Sequence, residues 1–400
     1  MPWETPDLVS IRKDFIQLAL SGRYTITECC VMFGVSEKTG HKWLTRYRQD
    51  GLPGLADRSH VPHTPPHQVA SRVRQQIIQL REQHPTWGPR KLRAVLERKL
   101  PDVTWPASST IGELLRRKGL VGSARRRRKI CPIDRPLDAG LTIAAAPNDV
   151  WTTDFKGEFR LRTGPYCYPL TVCDAQSRYL LGCTALFSTA GVPVQVVFKR
   201  IFQRYGLPQV IRSDNGIPFA SPHALGRLSK LSVWWIRLGI RPERIDPGHP
   251  QQNGQHERMH KTLKAEATRP PSSTLFQQQQ RFDRFRREYN NERPHESLGQ
   301  CPPASCYAPS TREFPKSLPQ PEYPGHFDVR RVGKNGMLAW SGQLFWLTHS
   351  LADQDVGFEE VDTDTWSVSF GHLSLGSYHA PSNTFLPELH WRLERDPHTQ

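Results

Sequence analysis

Apolar residues recur at different spacings along the chain, and the changes of spacing divide it into three regions. Up to about residue 120 they recur every three or four positions, which predicts amphipathic helices. From about residue 148, short apolar runs alternate with helical stretches, which predicts a mixed α/β sheet covered by helices. Beyond residue 325, short runs bounded by turn residues predict a small β-barrel or sandwich.

The first region predicts a helix-turn-helix domain over residues 1–60. Thr25 and Glu28 form a T-x-x-E capping box for its second helix, Gly34 supplies a turn, and Ser36 caps the third helix. The second helix carries five apolar positions, Ile26, Cys29, Cys30, Val31 and Phe33. On the third helix, Trp43, Leu44 and Tyr47 should face the core. The outward positions of the third helix are the basic Lys38, His41, Lys42 and Arg46. This layout is typical of a recognition helix that enters the DNA major groove, and an ordinary three-helix packing unit is the alternative.

A second helix-turn-helix domain is predicted over residues 68–123, with helices near 70–83, 89–99 and 109–118. Ser108 or Ser109 should open the last helix, whose Arg116 and Arg117 are candidate DNA contacts. A basic linker over 124–147 begins with the run Arg125, Arg126, Arg127 and Arg128. Such a run is too highly charged to fold alone, and it suits either an arm on DNA phosphates or a solvated linker. His63 and His67 have zinc-like spacing, but no C-x-x-C follows them, so we expect no zinc site there.

Charge is distributed unevenly along the chain. Residues 1–130 hold 24 Lys and Arg against 11 Asp and Glu, whereas residues 320–400 hold 5 against 11. A basic front half predicts a polyanionic partner. No apolar run is long enough to span a membrane, and no signal pattern opens the chain. We therefore expect a cytoplasmic protein whose eight cysteines are reduced and mostly buried.

Three carboxylates lie in separate polar motifs: Asp154 in WTTDF, Asp214 in IRSDNG and Glu257 in NGQHERMHKTLK. Carboxylate oxygens are the ligands that Mg²⁺ prefers, and paired ions serve in-line displacement at a phosphodiester. A fourth carboxylate, Asp174, sits in the hairpin turn DAQS, where Asp commonly bonds its own backbone. The run from His256 to His260 also matches the H-E-x-x-H pattern of zinc proteases. That alternative leaves the two aspartates and the basic helices unexplained.

The ordered motifs WTTDF, IRSDNG, PGHPQQNGQHER, HKTLKAE and YNNERPHESLG resemble those of the DDE transposases of bacterial insertion sequences. The resemblance implies an RNase H-type, integrase-like catalytic core over residues 148–310. It further implies two Mg²⁺ or Mn²⁺ ions held by Asp154, Asp214 and Glu257. The family's DNA-contacting lysine falls on Lys264, and Lys261 on the same helix is a second expected contact. The implied partners are double-stranded DNA, as terminal repeats and as target, and further copies of the chain.

One departure from retroviral integrases is the wider spacing, with 42 residues between Asp214 and Glu257. We assign the excess to the stretch ALGRLSKLSVWW, expected to be a peripheral helical insertion. After the core, Arg293 and His295 could touch DNA or cap the fold. Seven prolines in residues 301–325 indicate an extended linker, placed at 311–325.

The last domain is expected at residues 326–385, and its acidic character disfavours strong phosphate binding by this module alone. This domain could contact DNA locally through Arg330, Arg331 and Lys334, or it could assemble with other proteins. The sequence supports the two interpretations equally. The resemblance implies a transposase that nicks DNA to free a 3′-OH and joins it to target DNA. The alternative is a transposase-derived, sequence-specific DNA-binding regulator without catalysis.

Overall fold

The computed structural model describes residues 7–58, 69–121, 140–222, 224–246 and 249–391. The chain divides into two compact units, residues 1–70 and residues 71–400. Within the described ranges, no helix combines the length and the apolar character needed to cross a membrane.

The first unit contains three helices, α1 (Leu8–Leu20), α2 (Ile26–Met32) and α3 (Glu37–Asp50). Both bonds of the Thr25–Glu28 capping box form, and the Ser36 side chain accepts the backbone N–H of Thr39, so both predicted caps are confirmed. The core gathers Phe15, Ile16, Cys29, Cys30, Trp43, Leu44 and Leu55. Of the apolar positions on α2, Val31 is outside this core, with a side chain that is 77% exposed. Val31 lies two positions past Cys29, about 200° around the helix, and so faces away from the core.

The second unit opens with three further helices, α4 (Ser71–Gln83), α5 (Pro89–Lys99) and α6 (Ser108–Arg117). Each lies within a residue or so of its predicted position. They share a core of their own around the buried Trp87, Leu92 and Ile111. The expected serine cap of α6 was wrong, since the N-cap residue is Ala107 and no side chain caps the helix.

Six strands form a mixed sheet: β1 (Val150–Phe155), β2 (Phe159–Arg160), β3 (Tyr166–Asp174), β4 (Leu180–Leu186), β5 (Val210–Ser213) and β6 (Arg241–Arg244). The order is β2-β3-β1-β5-β6, with β4 also paired to β3. The β3 strand is antiparallel to both β1 and β4, whereas β5 runs parallel to β1 and to β6. Between β1 and β2 the chain passes through Gly157, which has φ +79°.

Helices cover both faces of this sheet: α7 (Gly191–Tyr205), α8 (Lys230–Arg237), α9 (Gly254–Ala267) and α10 (Leu275–Asn291). On one face, Trp151, Leu170 and Val172 pack with α7 and α8. On the other, Cys173 and Cys183 pack with α9 and α10. Five of the seven cysteines in the described ranges are buried, and all seven are free thiols.

The C-terminal module is all β: β7 (Asp328–Arg331), β8 (Met337–Trp340), β9 (Gln343–Trp346), β10 (Asp355–Asp362), β11 (Thr365–Phe370), β12 (Leu373–His379) and β13 (Thr384–Trp391). Five strands form one antiparallel sheet in the order β13-β12-β11-β10-β7, and β8 pairs with β9. The module shares a core with the segment that carries α8, through Leu225, Leu228, Val233 and Ile236.

The expected peripheral insertion around α8 was therefore wrong. Trp235 on α8 is fully buried against the central sheet, and Trp234 lies in the same core. The opposite side of the helix packs into the C-terminal module. A helix that is apolar on two sides has to be covered on both, so α8 joins the mixed sheet to the β module.

Candidate active site

Two of the predicted carboxylates lie on adjacent parallel strands. Asp154 is in β1, and Asp214 directly follows β5. The register pairs Thr152 with Arg212, so each aspartate lies two residues further along its strand at the same level of the sheet. This geometry brings together residues that are 60 positions apart in the sequence.

The surroundings of Asp154 disfavour its negative charge. Burial, then the nearby Asp214 and Glu257, raise the pKa of Asp154 to about 7, against the opposing effects of the Phe155 backbone N–H and Lys156. Two acidic neighbours that act on one half-buried carboxyl create a concentration of negative charge. A divalent cation would relieve it, which fits the donor set to Mg²⁺ or Mn²⁺.

The loop after β5 gives Asp214 a defined position. Its carboxylate accepts the backbone N–H of Gly216 at 3.1 Å, and the Asn215 side-chain amide donates to the carbonyl of Ile245 at 2.7 Å. A Cβ on Gly216 would approach the Asp214 carboxylate to 3.1 Å, closer than ordinary contact. The sequence SDNG thus forms a tight turn that holds the aspartate at the strand end.

Glu257 lies in the first turn of α9, and its side chain is exposed. It is near enough to Asp154 to contribute to the raised pKa of that carboxyl. The described part of the chain nevertheless contains no group of three His, Cys, Asp or Glu side chains arranged to hold a metal ion. The structure therefore brings the two aspartates side by side and leaves Glu257 at the rim, without a closed ligand cage.

The two histidines of the H-E-x-x-H pattern face the sheet. His256 contacts the hydroxyls of Thr152 and Thr171 at 2.8 and 2.7 Å through its two ring nitrogens. His260 contacts Thr171 at 2.7 Å through Nε2. Because both nitrogens of His256 are engaged, the pair cannot bind zinc as it does in proteases with this motif. The fourth carboxylate, Asp174, accepts hydrogen bonds from Ser177 and from the Asn148 backbone N–H, as expected of a turn residue.

One lysine, Lys156, lies near Asp154, and Lys264 of α9 lies near Lys156. Lys261 and Lys264 are exposed on α9, as expected of residues that could meet DNA. The sequence reading missed Lys156, whose pKa is lowered by burial and then by the nearby Lys264, while Asp154 opposes both. The sequence did contain a signal for this lysine. In DFK, Lys156 follows Asp154 by two positions, and residues two apart on a strand share a face.

The recognition-helix candidates lie on the surface of the first unit. Lys38, His41 and Lys42 are exposed, and Arg46 is half-buried. Three cations surround the buried Trp43 ring: Arg12, Lys42 and Arg46, at 3.9, 4.7 and 5.0 Å from its centroid. Such contacts fix the stems of α3 side chains while their charges stay at the surface.

The candidates in the second unit are more constrained. Arg116 and Arg117 are exposed on α6, but both pair with Glu113 of the same helix. The run Arg125–Arg128 lies outside the described residues.

The segment of α4 and α5 is joined by polar contacts to α10 and to the chain that follows it. His84 pairs with Glu288 at 2.8 Å, Arg90 pairs with Glu296 at 2.9 Å, and Arg98 donates to the Glu292 carbonyl at 3.0 Å.

The sequence left open whether Arg293 and His295 contact DNA or stabilise the fold, and their contacts favour the second role. Arg293 is 7% exposed and pairs with Glu266 of α9 at 2.6 Å, and the His295 ring packs edge-on against Tyr289.

Four family descriptions match parts of the chain. "Helix-turn-helix domain" matches residues 11–63, and "Homeodomain-like domain" matches 39–115. "Integrase core domain" describes two matches, at 144–250 and at 238–303. The matched ranges cover all three predicted carboxylates.

Two of the relatives are insertion-element proteins. The IS476 uncharacterized 39.2 kDa protein of Xanthomonas euvesicatoria is 28% identical over 272 residues, 67% of this chain and 74% of the relative. The IS407 uncharacterized 31.7 kDa protein of Burkholderia multivorans is 27% identical over 233 residues, 58% and 79% of the two chains. Among solved structures, the HTLV-2 integrase catalytic core domain in complex with magnesium matches 40% of this chain and 97% of its own, with 13% identity and a TM-score of 0.33.

Proposed function

The chain belongs to the insertion-sequence DDE transposases with an integrase core, and from that premise we propose that it nicks DNA at transposon ends and joins the freed ends to target DNA. The observation that carries the proposal is the pair Asp154 and Asp214 at the same level of adjacent strands, with Glu257 adding its charge. A site built to gather anionic oxygens is suited to phosphodiester chemistry only with divalent cations. We propose Mg²⁺ or Mn²⁺, two ions, held by these three carboxylates.

In the nicking step, the oxygen of a water molecule bonds to phosphorus, and the bond from phosphorus to the 3′ oxygen breaks. The products are a 3′-OH and a 5′-phosphate. In the joining step, that 3′ oxygen bonds to a target phosphorus, and the target's own 3′ oxygen leaves. One phosphodiester is exchanged for another, so no external energy source is needed. When bound, the cations would activate the attacking oxygen and stabilise the leaving one.

The chain's own residues position the reactants. Lys156, which lies near Asp154, and Lys264, which lies near Lys156, would bind the phosphates on either side of the reacting one. Lys261 would extend this contact along α9. The Asp214 turn, fixed by the Gly216 N–H and by Asn215, would keep the second carboxylate in register with the first.

Terminal-repeat recognition is assigned to the helix-turn-helix units. We propose that Lys38, His41, Lys42 and Arg46 of α3 read the repeat, and that Arg116, Arg117 and the run Arg125–Arg128 contact phosphates. The proposed domains are those at 1–60, 68–123, 148–310 and 326–385, joined by linkers at 124–147 and 311–325. We propose that several copies assemble on the two ends, in the cytoplasm of a bacterial cell.

The experiment is a cleavage assay with the full-length protein and labelled DNA that carries the inverted repeats of its own genomic locus. Strand-specific nicking that requires Mg²⁺ or Mn²⁺ and yields a 3′-OH supports the proposal. Specific repeat binding with no nicking in any divalent cation would instead identify a DNA-binding regulator.

A further inference from the structure

The loop between the Asp214 turn and α8 presents an arginine at the edge of the sheet where the two aspartates lie. Arg227 is exposed, and its Nη1 atom donates to Asn215 Oδ1 at 3.3 Å. Asn215 directly follows Asp214, and its own side-chain amide donates to the carbonyl of Ile245, the residue after β6. The guanidinium group of Arg227 therefore lies one residue away from a predicted catalytic carboxylate.

The backbone of this loop is held in place from two elements. The Arg244 side chain of β6 donates to the Gly226 carbonyl at 2.7 Å and to the Arg227 carbonyl at 2.9 Å. Leu389 of β13 packs so closely on Gly226 that a Cβ there would overlap it. Arg227 itself has φ +55°, a left-handed conformation that is unfavourable for a residue with a Cβ. Strain that the surrounding contacts maintain is a common feature of functional positions.

The charges at this loop favour an anion as its partner. In the described part of the chain, the printed contacts of both guanidinium groups are with amide oxygens, and neither Arg227 nor Arg244 pairs with a carboxylate. Burial, then the nearby Arg227, lower the pKa of Arg244, so the two like charges are close enough to repel each other. An anion bound at Arg227 would relieve that repulsion. Guanidinium groups bind phosphate oxygens through two parallel N–H bonds.

We infer that Arg227 binds a phosphate of the DNA in the active site, on the β6 side of Asp214. The inference rests on the proposed function, because it concerns the same DNA. The strand order β1-β5-β6 supports the location: Asp154 lies in β1, Asp214 follows β5, and Arg244 of β6 holds Arg227. Lys156 lies on the β1 side, so DNA across this edge would meet a cation on each side of the aspartates. The transposon end and the target both offer this chemistry, and the two proposed reactions distinguish them.

The test compares Arg227→Gly with the wild type in the full-length protein. Glycine adopts φ +55° without strain, so the variant should unfold at about the wild-type temperature or above it. It should nevertheless bind DNA with a salt slope lower by about 1, because one phosphate contact is lost. If the phosphate belongs to the transposon end, nicking should need about tenfold more repeat DNA for half its maximal rate. If it belongs to the target, joining of a pre-cut end should instead need about tenfold more target DNA.

Two further variants are matched controls. Arg227→Lys keeps the charge and the backbone strain, and it should recover most of the salt slope. Arg204→Ala removes an exposed arginine near the end of α7, where the chain approaches the start of β5 and not the end that carries Asp214. It should change neither the salt slope nor the two reactions.

An Arg227→Gly variant with unchanged salt slopes and unchanged reactions would overturn the inference. A lower maximal nicking rate, with the salt slopes and the DNA requirement unchanged, would also overturn it. That pattern would mean that Arg227 acts only through Asn215 on the Asp214 turn. The binding titrations need neither cleavage nor added metal ions. Wild-type protein that binds DNA without nicking it would therefore contradict the proposed function and leave the phosphate contact measurable.

Discussion

The buried ion pair between Arg212 and Glu243 anchors the strand that delivers Asp214. Arg212 Nε lies 2.6 Å from Glu243 Oε2, and the two side chains are only 10% and 6% exposed. Both side chains also bind Thr142, in the segment that precedes β1. Glu243 accepts the Thr142 N–H at 2.8 Å, and Arg212 donates to the Thr142 carbonyl at 2.6 Å. Removing one partner leaves the other charge buried with too few partners.

We predict that Glu243→Gln destabilises the second unit by about 3–5 kcal/mol, the usual cost of breaking a buried pair. The double variant Arg212→Met with Glu243→Leu should recover most of that loss, because it leaves no unpaired charge. Chemical unfolding of the full chain, followed by tryptophan fluorescence, measures both. The matched control is Glu97→Gln, which breaks the half-exposed pair of Arg93 and Glu97 and should cost about 0.5 kcal/mol or less.

A loss below about 1 kcal/mol in Glu243→Gln would refute the reasoning, since it would mean that the pair is effectively solvated. A double variant as unstable as the single one would show that the Thr142 contacts, and not the charge pair, hold the strand. If the double variant is stable, its nicking rate then tests whether the position of β5 alone is enough to place Asp214.

Two further outcomes follow from the surfaces of the two units. Lys42→Ala or Arg46→Ala should weaken terminal-repeat binding in a fluorescence-anisotropy titration. A changed base preference would indicate a base contact, and a salt slope lower by about 1 would indicate a phosphate contact. Equal affinity of residues 1–130 for repeat and random DNA would contradict this prediction. Deletion from Pro324 onward should lower the unfolding temperature of the core and impair paired-end assembly more than repeat binding. The reason is that Leu228, Val233 and other apolar side chains on and beside α8 lose the residues that cover them. Full burial of one such side chain stabilises by about 1.5–3 kcal/mol. An unchanged melting curve and undiminished assembly by the truncated protein would contradict that prediction.

Some elements that depend on local chemistry were predictable from the sequence, although the serine cap expected for α6 did not form. The caps at Thr25 and Ser36 formed as expected, because each is decided by bonds within one helical turn. The mixed sheet followed from the order of the strand and helix patterns. The adjacency of Asp154 and Asp214 came from the family resemblance, and their register agrees with it.

The parts that the sequence did not reveal depend on long-range pairing. The apolar residues of α8 serve two cores at once, and periodicity alone cannot say what covers each side. His256 and His260 are polar by type, yet they are buried against threonine hydroxyls that lie 85 to 104 positions away. The partner of Arg293 is Glu266, on another helix. No local pattern carries that information.

The measurement that tests the central claim most directly is nicking of a terminal-repeat duplex by wild-type protein and by three amide variants, Asp154→Asn, Asp214→Asn and Glu257→Gln. Each amide keeps the size of the side chain and removes the charge that would bind a divalent cation. We predict Mg²⁺- or Mn²⁺-dependent nicking and strand transfer by the wild type. Each variant should lose both activities and keep its affinity for the repeat. Full strand transfer by Glu257→Gln, or by either asparagine variant, would contradict the account.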